Sequence, residues 1–337
     1  MTRTLTALGM ACAIGALPFQ AQSPGTRVQK LEELRWPQIE ALDRERTMFI
    51  LPVGMIEEHG PHLPVGADTF GVMFEVNGAA ARVSDAMPQW RVVIMPPINY
   101  GESGANEIAN DLIHPGTYSI RQSTLRALVA DVGAQVAQNG FKWIFVMNGH
   151  GAPTHNIAIN EACDFVSESF GVTMLHLTAL FRADDRIQAE GRRLEARFFS
   201  PAEIASFGLD VHAGVAETSA MLALRPDRVD PGYRKLPSLS AKTREELQAI
   251  AAAPGWQGYF SSPALATAAF GKAAESWWVD GFADLMLRAV KGENLLKAPR
   301  LPDRIDPAVA SILGKALENE RAFELKLEEW LSRRRKG

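Results

Sequence analysis

Three short segments of the sequence concentrate side chains that bind divalent metal ions. The first, residues 54–68 (GMIEEHGPHLPVGAD), contains Glu57, His59 and Asp68. In an extended chain Glu57 and His59 point to the same side because they are two residues apart, so both can approach one metal ion or two adjacent ions. The glycine and proline after His59 turn the chain, which allows Asp68 to return to the same place. The segment therefore predicts a metal site.

The second segment, residues 147–156 (MNGHGAPTHN), contains two histidines. It follows an apolar run, and in open α/β sheets ligands bind at the carboxyl ends of the strands, where glycines permit close approach of the backbone. His150 is therefore predicted to be a metal ligand. His155 is interpreted instead as a cap of the helix that follows.

The third segment, residues 210–219 (DVHAGVAETS), leads into an apolar helical run. His212 and Glu217 bracket small residues, so both side chains could face one cavity. Alternatively, Glu217 serves only to start the helix, because an acidic residue is favoured in the first turn. Both interpretations of Glu217 stay open at this point.

Carboxylates and imidazoles are ligands for Zn²⁺, Mn²⁺ or Fe²⁺, and the thiol of Cys163 lies away from all three segments. Two such ions about 3.5–4 Å apart can share a water, lower its pKa and polarise a carbonyl group. A nearby histidine or glutamate can then move the proton. The set predicts hydrolytic chemistry. The sequence has neither a P-loop nor a G-x-G-x-x-G motif after its first strand, so no nucleotide cofactor is expected.

The apolar pattern predicts the elements that position these segments. Almost continuous apolar runs predict strands buried on both faces, as in a parallel sheet covered by helices on each side. These runs are residues 48–51, 92–95, 143–147 and 172–175. Helical spacing predicts helices over residues 125–136 and 268–290, and the last thirty residues predict a solvated amphipathic helix. Residues 230–263, with several Pro, Gly and Ser residues, predict a long loop or insertion, either at a substrate entrance or as a surface excursion.

Composition and the N-terminus limit the possible function classes. The 35 Lys and Arg against 39 Asp and Glu exclude a strongly basic nucleic-acid binder, and two cysteines exclude a disulfide-stapled miniprotein.

Residues 1–21 predict a secretory signal peptide, because Arg3 precedes an uncharged apolar run that is too short to span a bilayer. We expect residues 22–337 to form a single periplasmic or secreted domain. This mature form has no membrane partner and one cysteine, Cys163.

Five motifs in a fixed order resemble those of the creatininase family, the creatinine amidohydrolases and their relatives. They extend over about residues 47–290, and the ordered set is far more specific than any one motif. The motifs are residues 52–68, 100–103 (YGES), 114–117 (HPGT), 148–151 (NGHG) and 212–219 (HAGVAETS).

The resemblance implies a three-layer α/β/α sandwich with a mostly parallel sheet. It also implies two divalent metal ions per chain, with zinc expected first and manganese or iron as alternatives, and assembly of a homo-oligomer, a hexamer in this family. By motif, Glu57 and His150 would bind one ion. His59 would bind the other, and Asp68 would bridge the two.

The same resemblance assigns the proton-transfer role to His212, with Glu217 as the acid beside it. Creatininase itself has a glutamate two residues after the histidine of its NGHG-type motif, as a ligand of the second metal, whereas this chain has Ala152. We therefore expect Glu217 to complete the second metal site. This chain also lacks the tryptophans that enclose creatinine in that enzyme, since no Trp lies between His150 and His212, so creatinine is not the expected substrate.

The predicted function is a metal-dependent amidohydrolase that cleaves a cyclic amide or formamide-type C–N bond of a small molecule by means of a metal-bridged hydroxide. One alternative is a catalytically silent protein that keeps the fold and binds a small ligand, and Ala152 keeps this alternative open. The other is a metal-dependent peptidase of the same fold.

Overall fold

The structure, a computed structural model, describes residues 27–104, 108, 114–301 and 309–335. The predicted signal peptide, residues 1–21, lies outside the described residues. Within them the chain forms a five-stranded parallel sheet in the order β1-β3-β2-β4-β5. The strands are β1 (Val28–Lys30), β2 (Thr47–Val53), β3 (Arg91–Ile94), β4 (Trp143–Asn148) and β5 (Thr173–His176). All four predicted strands are confirmed, and the three-residue edge strand β1 is additional.

The helices described by the structure connect and flank these strands. Those up to β5 are α1 (Trp36–Glu40), α2 (Ala67–Ala86), α3 (Gln122–Gln138) and α4 (Pro153–Phe170). Those after β5 are α5 (Leu177–Ala183), α6 (Asp185–Phe198), α7 (Pro201–Phe207), α8 (Val215–Leu224), α9 (Arg244–Ala251), α10 (Ala268–Val290) and α11 (Val309–Arg335). The helices predicted from spacing correspond to α3, α10 and α11.

Alternating residues of the strands pack into two separate apolar layers. Met48 and Ile50 of β2 face α2 and α10, where Val76 and Phe282 are among their buried neighbours. Phe49, Leu51 and Val53 face the opposite way, toward α3 and α4. Because both faces of each central strand are covered, these strands are almost continuously apolar. The predicted three-layer α/β/α sandwich with a mostly parallel sheet is confirmed.

Residues 230–263, predicted to be a long loop or insertion, contain more regular structure than a loop. They contain a 3-10 turn, Pro231–Lys235, and helix α9, and they enclose a small apolar cluster of their own that includes Trp256 and Phe260. The backbone of this segment reaches the third metal-binding segment, since the Phe260 amide donates to the carbonyl of His212 over 3.0 Å. The segment therefore has its own apolar core and packs against the third metal-binding segment.

None of the helices in the described ranges is both long enough and apolar enough to cross a membrane. The central strands β2 and β4 are direct neighbours, with Val53 paired to Asn148 at their carboxyl ends. The segments that follow these two strands are the first two predicted metal-binding segments, so the sheet brings them together.

Candidate metal centre

The chain after β2 carries Glu57 and His59 into the protein interior. The Glu57 amide donates to the carbonyl of Val65 over 2.9 Å, which closes residues 57–65 into a loop. The Nδ1 atom of His59 lies 3.0 Å from the carbonyl oxygen of Glu57. A carbonyl oxygen only accepts, so Nδ1 carries the proton and the other ring nitrogen, Nε2, is available to bind a ligand.

The chain after β4 carries His150, and the Asn148 side chain fixes its backbone. The amide nitrogen of that side chain donates to the carbonyl of His150 over 2.6 Å, and its oxygen accepts from the His150 amide over 3.0 Å. Gly149 packs directly against the backbone carbonyl of Asp68, where a Cβ atom would collide. The glycine thus allows β4 to approach the first turn of α2, which carries Asp68.

Glu57, Asp68 and His150 form one compact group of ligand atoms. The Nδ1 atom of His150 lies 3.0 Å from Oε2 of Glu57 and 3.1 Å from Oδ2 of Asp68. The opposite ring nitrogen, Nε2, lies 2.9 Å from the carbonyl of Ser103 and donates to it. Three buried ligand atoms within 4.8 Å of one another can share one metal ion.

His59, Asp68 and Glu217 form a second group. The Nε2 atom of His59 lies 3.3 Å from Oδ1 of Asp68 and 3.6 Å from Oε2 of Glu217. Asp68 therefore turns one carboxylate oxygen toward each group, which is the arrangement of a bridging ligand. Glu57, His59 and His212 form a further group of the same size that overlaps both.

His212 lies against the same cluster. Its Nε2 atom donates to the carbonyl of Glu58 over 2.7 Å, and its Nδ1 atom faces Oε1 of Glu57 at 3.6 Å. The rings of His212 and His59 are 4.4 Å apart between centroids. Burial lowers the pKa of His212, although the charge of Glu57 opposes this effect. A neutral His212 with its proton on Nε2 presents the Nδ1 lone pair to the cluster, where it can accept a proton or bind a metal.

The charges within the cluster stabilise one another. Burial opposes ionisation of Glu57, but the electrostatic effects of the His212 and His150 rings, with a hydrogen bond from His150, outweigh it and lower the pKa of Glu57 to about 2. Burial also opposes protonation of His59, but the carboxylates of Glu217 and Asp68 raise its pKa to about 10. In the same way, Glu57 and Asp68 outweigh the burial of His150 and raise its pKa well above its usual range. The protons on His59 and His150 thus lie where a divalent cation would neutralise the same carboxylates.

These residues fit a divalent metal ion by several independent features. The donors are imidazoles and carboxylates. His59 Nε2 is fully buried and makes no hydrogen bond in the described residues, although it faces two carboxylates. Each of the three histidines also donates its outward ring nitrogen to a backbone carbonyl, the support that orients metal-binding imidazoles in proteins.

Glu217 serves the helix start as well as the cluster. It lies in the first turn of α8, and its Oε2 atom accepts from the Ala213 amide over 2.6 Å. The same oxygen faces His59. Burial raises the pKa of Glu217, against the charges of His59 and His212. The two interpretations left open by the sequence are therefore compatible in one side chain.

The prediction that His155 caps a helix is wrong. Helix α4 begins at Pro153 with Ala152 in the cap position, and His155 lies inside the first turn. Its Nδ1 atom accepts from the Glu102 amide over 3.1 Å, so Nε2 carries the proton and donates to the Asn148 side chain over 3.0 Å. The side chain instead supports the asparagine that fixes His150.

Two motif histidines lie outside the cluster. The Nε2 atom of His62 is 2.9 Å from the hydroxyl of Thr218, and that of His114 is 2.8 Å from the carbonyl of Trp256. Burial, reinforced by the charge of His59, lowers the pKa of His62 to about 4, so this ring is neutral. Both histidines connect the loops around the cluster.

A cavity of about 500 Å³ opens beside the cluster and reaches it at Asp68 and Glu217. Its wall includes Arg182, Trp277 and Trp278, which sequence reasoning missed. The position of Arg182, just after a strand of the parallel sheet, was the available signal. No pattern in the sequence indicates that α10, which carries Trp277 and Trp278, lies beside the cluster.

Comparisons with known proteins give a consistent result. The family model described as creatinine amidohydrolase matches residues 32–286. The chain is 30% identical over 283 residues to the mycofactocin precursor peptide peptidase of Mycobacterium ulcerans, which covers 80% of this chain and 96% of that protein. It is 29% identical over 206 residues to the creatinine amidohydrolase of Pseudomonas putida, which covers 59% and 72%. A Zn-Zn type mutant creatininase superposes with a TM-score of 0.54 at 25% identity, over 78% of this chain and 98% of that chain.

Proposed function

The chain belongs to the creatininase family, and we propose that it is a metal-dependent hydrolase that cleaves a C–N bond with two divalent ions per chain. One observation carries this proposal: Asp68 directs its two oxygens toward two separate histidines, His150 and His59, each of which has a further carboxylate beside it. When bound, a pair of divalent ions activates water and polarises a carbonyl group. We expect zinc, since a related structure is described as Zn-Zn type, with manganese or iron as alternatives.

The protein's own residues divide the remaining work. Glu57 and His150 would hold one ion, His59 and Glu217 would hold the other, and Asp68 would contribute an oxygen to each. The Nδ1 atom of His212, which faces the cluster, accepts the proton that the attacking water releases and passes it to the leaving nitrogen. The hydrogen bond from its Nε2 atom to the Glu58 carbonyl fixes the ring for that transfer.

The bond type defines two versions of this function. The first is an amidohydrolase that acts on cyclic amides or formamides. The second is a peptidase, and a specific observation favours it: the peptide peptidase from M. ulcerans matches along 96% of its length, against 72% for the creatinine amidohydrolase from P. putida. The tryptophans beside the cluster come from α10, and none lies between His150 and His212. We therefore do not expect creatinine to be the substrate.

A substrate screen with metal-reconstituted protein tests the proposal. Lactams, formamides and short peptides are incubated with protein loaded with Zn²⁺ or Mn²⁺, and product formation is followed by mass spectrometry. We expect turnover in one of these classes, abolished in Asp68→Ala. If no class is turned over and the metal-to-protein ratio is near one, the chain is instead a silent binding protein, as Ala152 would allow.

Export and assembly are further parts of the proposal. The apolar run in residues 5–17 supports cleavage of a signal peptide near residue 21 and a periplasmic or secreted location. Mass spectrometry of the N-terminus from the native host tests this, and an intact Met1 would contradict it. Native mass spectrometry tests the expected hexamer, and a monomer would contradict it.

A further inference from the structure

Arg182 places a cation in the cavity beside the metal centre. It lies in the last turn of α5, directly after β5, and is accessible to solvent. Its guanidinium nitrogens lie about 4 Å from where a Cβ atom of Gly151 would stand, next to the His150 backbone. Within the described parts of the chain it forms neither a hydrogen bond nor an ion pair.

Aromatic packing holds this guanidinium group in position. Its Cζ atom lies 5.6 Å from the centre of the Trp278 ring, a distance at which a cation is attracted to the ring face. The Trp278 ring in turn stacks on Phe181 at 3.9 Å with an angle of 14° between their planes. The Trp278 ring thus attracts the cation, while its donors make no hydrogen bond to any residue that the structure describes.

The acidic residues near Arg182 are occupied by other partners. Asp68 and Glu217 are near enough for their charges to act on it, but both belong to the proposed metal centre. Glu75 also acts on it, and it faces Glu275 across the cavity wall. Burial, together with the charge of Glu275, raises the pKa of Glu75 well above its usual range, so this pair favours its protonated form. With metals bound, Arg182 would therefore have no neighbouring counter-charge among the residues that the structure describes.

We propose that Arg182 binds a carboxylate group of the substrate, so that this enzyme selects amides that carry a carboxylate close to the bond that is cleaved. A guanidinium group presents two parallel donors that match a carboxylate. The cavity volume of about 500 Å³ is within the range of small-ligand sites. This inference rests on the proposed function, and it holds for a small carboxylated amide and for the C-terminus of a peptide alike.

Matched substrate pairs test the inference. Each pair contains the same scissile bond with and without the carboxylate: pyroglutamate and pyroglutamamide, N-formylglycine and N-formylglycinamide, and alanyl-alanine and alanyl-alaninamide. We expect wild-type protein to favour the carboxylate member in kcat/KM by about 10- to 100-fold, the effect of one charge-assisted pair. Arg182→Gln should remove this preference and leave kcat/KM for the amide member within about threefold. Arg182→Lys should restore part of it. The pair that reacts identifies the source of the carboxylate.

Two controls separate the failure of this inference from the failure of the proposed function. Arg193→Gln removes the same charge from an exposed position of α6 and should keep the preference. Calorimetric binding of pyroglutamate and pyroglutamamide, with metal content measured in parallel, needs no turnover. Equal binding of pyroglutamate by wild type and Arg182→Gln, or an equal loss for both members of a pair, would overturn the inference even where hydrolysis is intact.

Discussion

The carboxyl pair between α2 and α10 predicts how stability depends on pH. Glu75 and Glu275 are only 7% and 4% exposed, and Oε2 of Glu275 makes no hydrogen bond in the described residues. Burial raises the pKa of Glu275 to about 8 from an ordinary value of 4.5. Between these values the unfolded chain has released a proton that the folded chain keeps. The free energy of unfolding should therefore fall as pH rises through this range, by about 1 kcal/mol per pH unit for one proton.

Glu275→Gln removes this titration without removing the side chain's shape. The free energy of unfolding of the variant should equal that of wild type near pH 5. It should exceed that of wild type by about 2–4 kcal/mol near pH 8, because solvent in the cavity reduces the full effect. Urea denaturation from pH 5 to pH 9, with chelator present so that metal binding does not contribute, measures the difference.

The matched control is Glu168→Gln, which makes the same chemical change at an exposed position of α4. Its unfolding curve should follow wild type at every pH. Parallel pH profiles for wild type and Glu275→Gln would refute the reasoning, because they would show that the Glu275 carboxyl ionises as freely in the folded protein as in the unfolded chain.

Three further predictions concern the metal centre and the core. Gly149→Ala should reduce metal content and lower the free energy of unfolding by about 1–3 kcal/mol, because the added Cβ would collide with the Asp68 backbone. Gly71→Ala, which has open space around it, is the control and should be neutral or slightly stabilising. Metal analysis and denaturation measure both effects. His212→Ala should retain metal but lose activity by about 100-fold or more in a turnover assay, and equal loss of both would contradict its role in proton transfer. Cys163 is buried and burial raises its pKa, so a thiol reagent should label it only after unfolding, and rapid labelling of native protein would contradict this.

The strands and the metal-binding segments could be predicted because their signals are local. A strand buried on both faces is apolar throughout, and the ligand residues stand in short runs after such strands. Edge strand β1 could not be predicted from its three residues, Val-Gln-Lys, since only pairing with β3 defines it. The Pro and Gly content of residues 230–263 predicts a loop or insertion, and the apolar residues that pack around Trp256 have no regular spacing that would indicate the cluster.

The residues missed at the site depend on contacts between distant parts of the chain. Arg182 is one arginine in a short helix, and its lack of an ion pair among the described residues depends on the side chains that line the cavity. Trp278 and Glu275 lie on α10, roughly a hundred residues or more after the first two ligand segments, so their positions follow only from the packing of α10 against α2 and α8. The role of His155 could not be predicted because it depends on the contact of its ring with Asn148, which in turn holds the His150 backbone.

The metal content of the purified protein tests the central claim most directly. Wild-type protein that has been purified without chelator is analysed by inductively coupled plasma mass spectrometry. The Asp68→Ala variant is prepared and analysed in the same way. We predict about two divalent ions per wild-type chain and almost none in Asp68→Ala, because that carboxylate serves both groups of ligands. Wild-type protein that carries no divalent metal, or Asp68→Ala that retains both ions, would contradict a bridged pair of metal ions at this site.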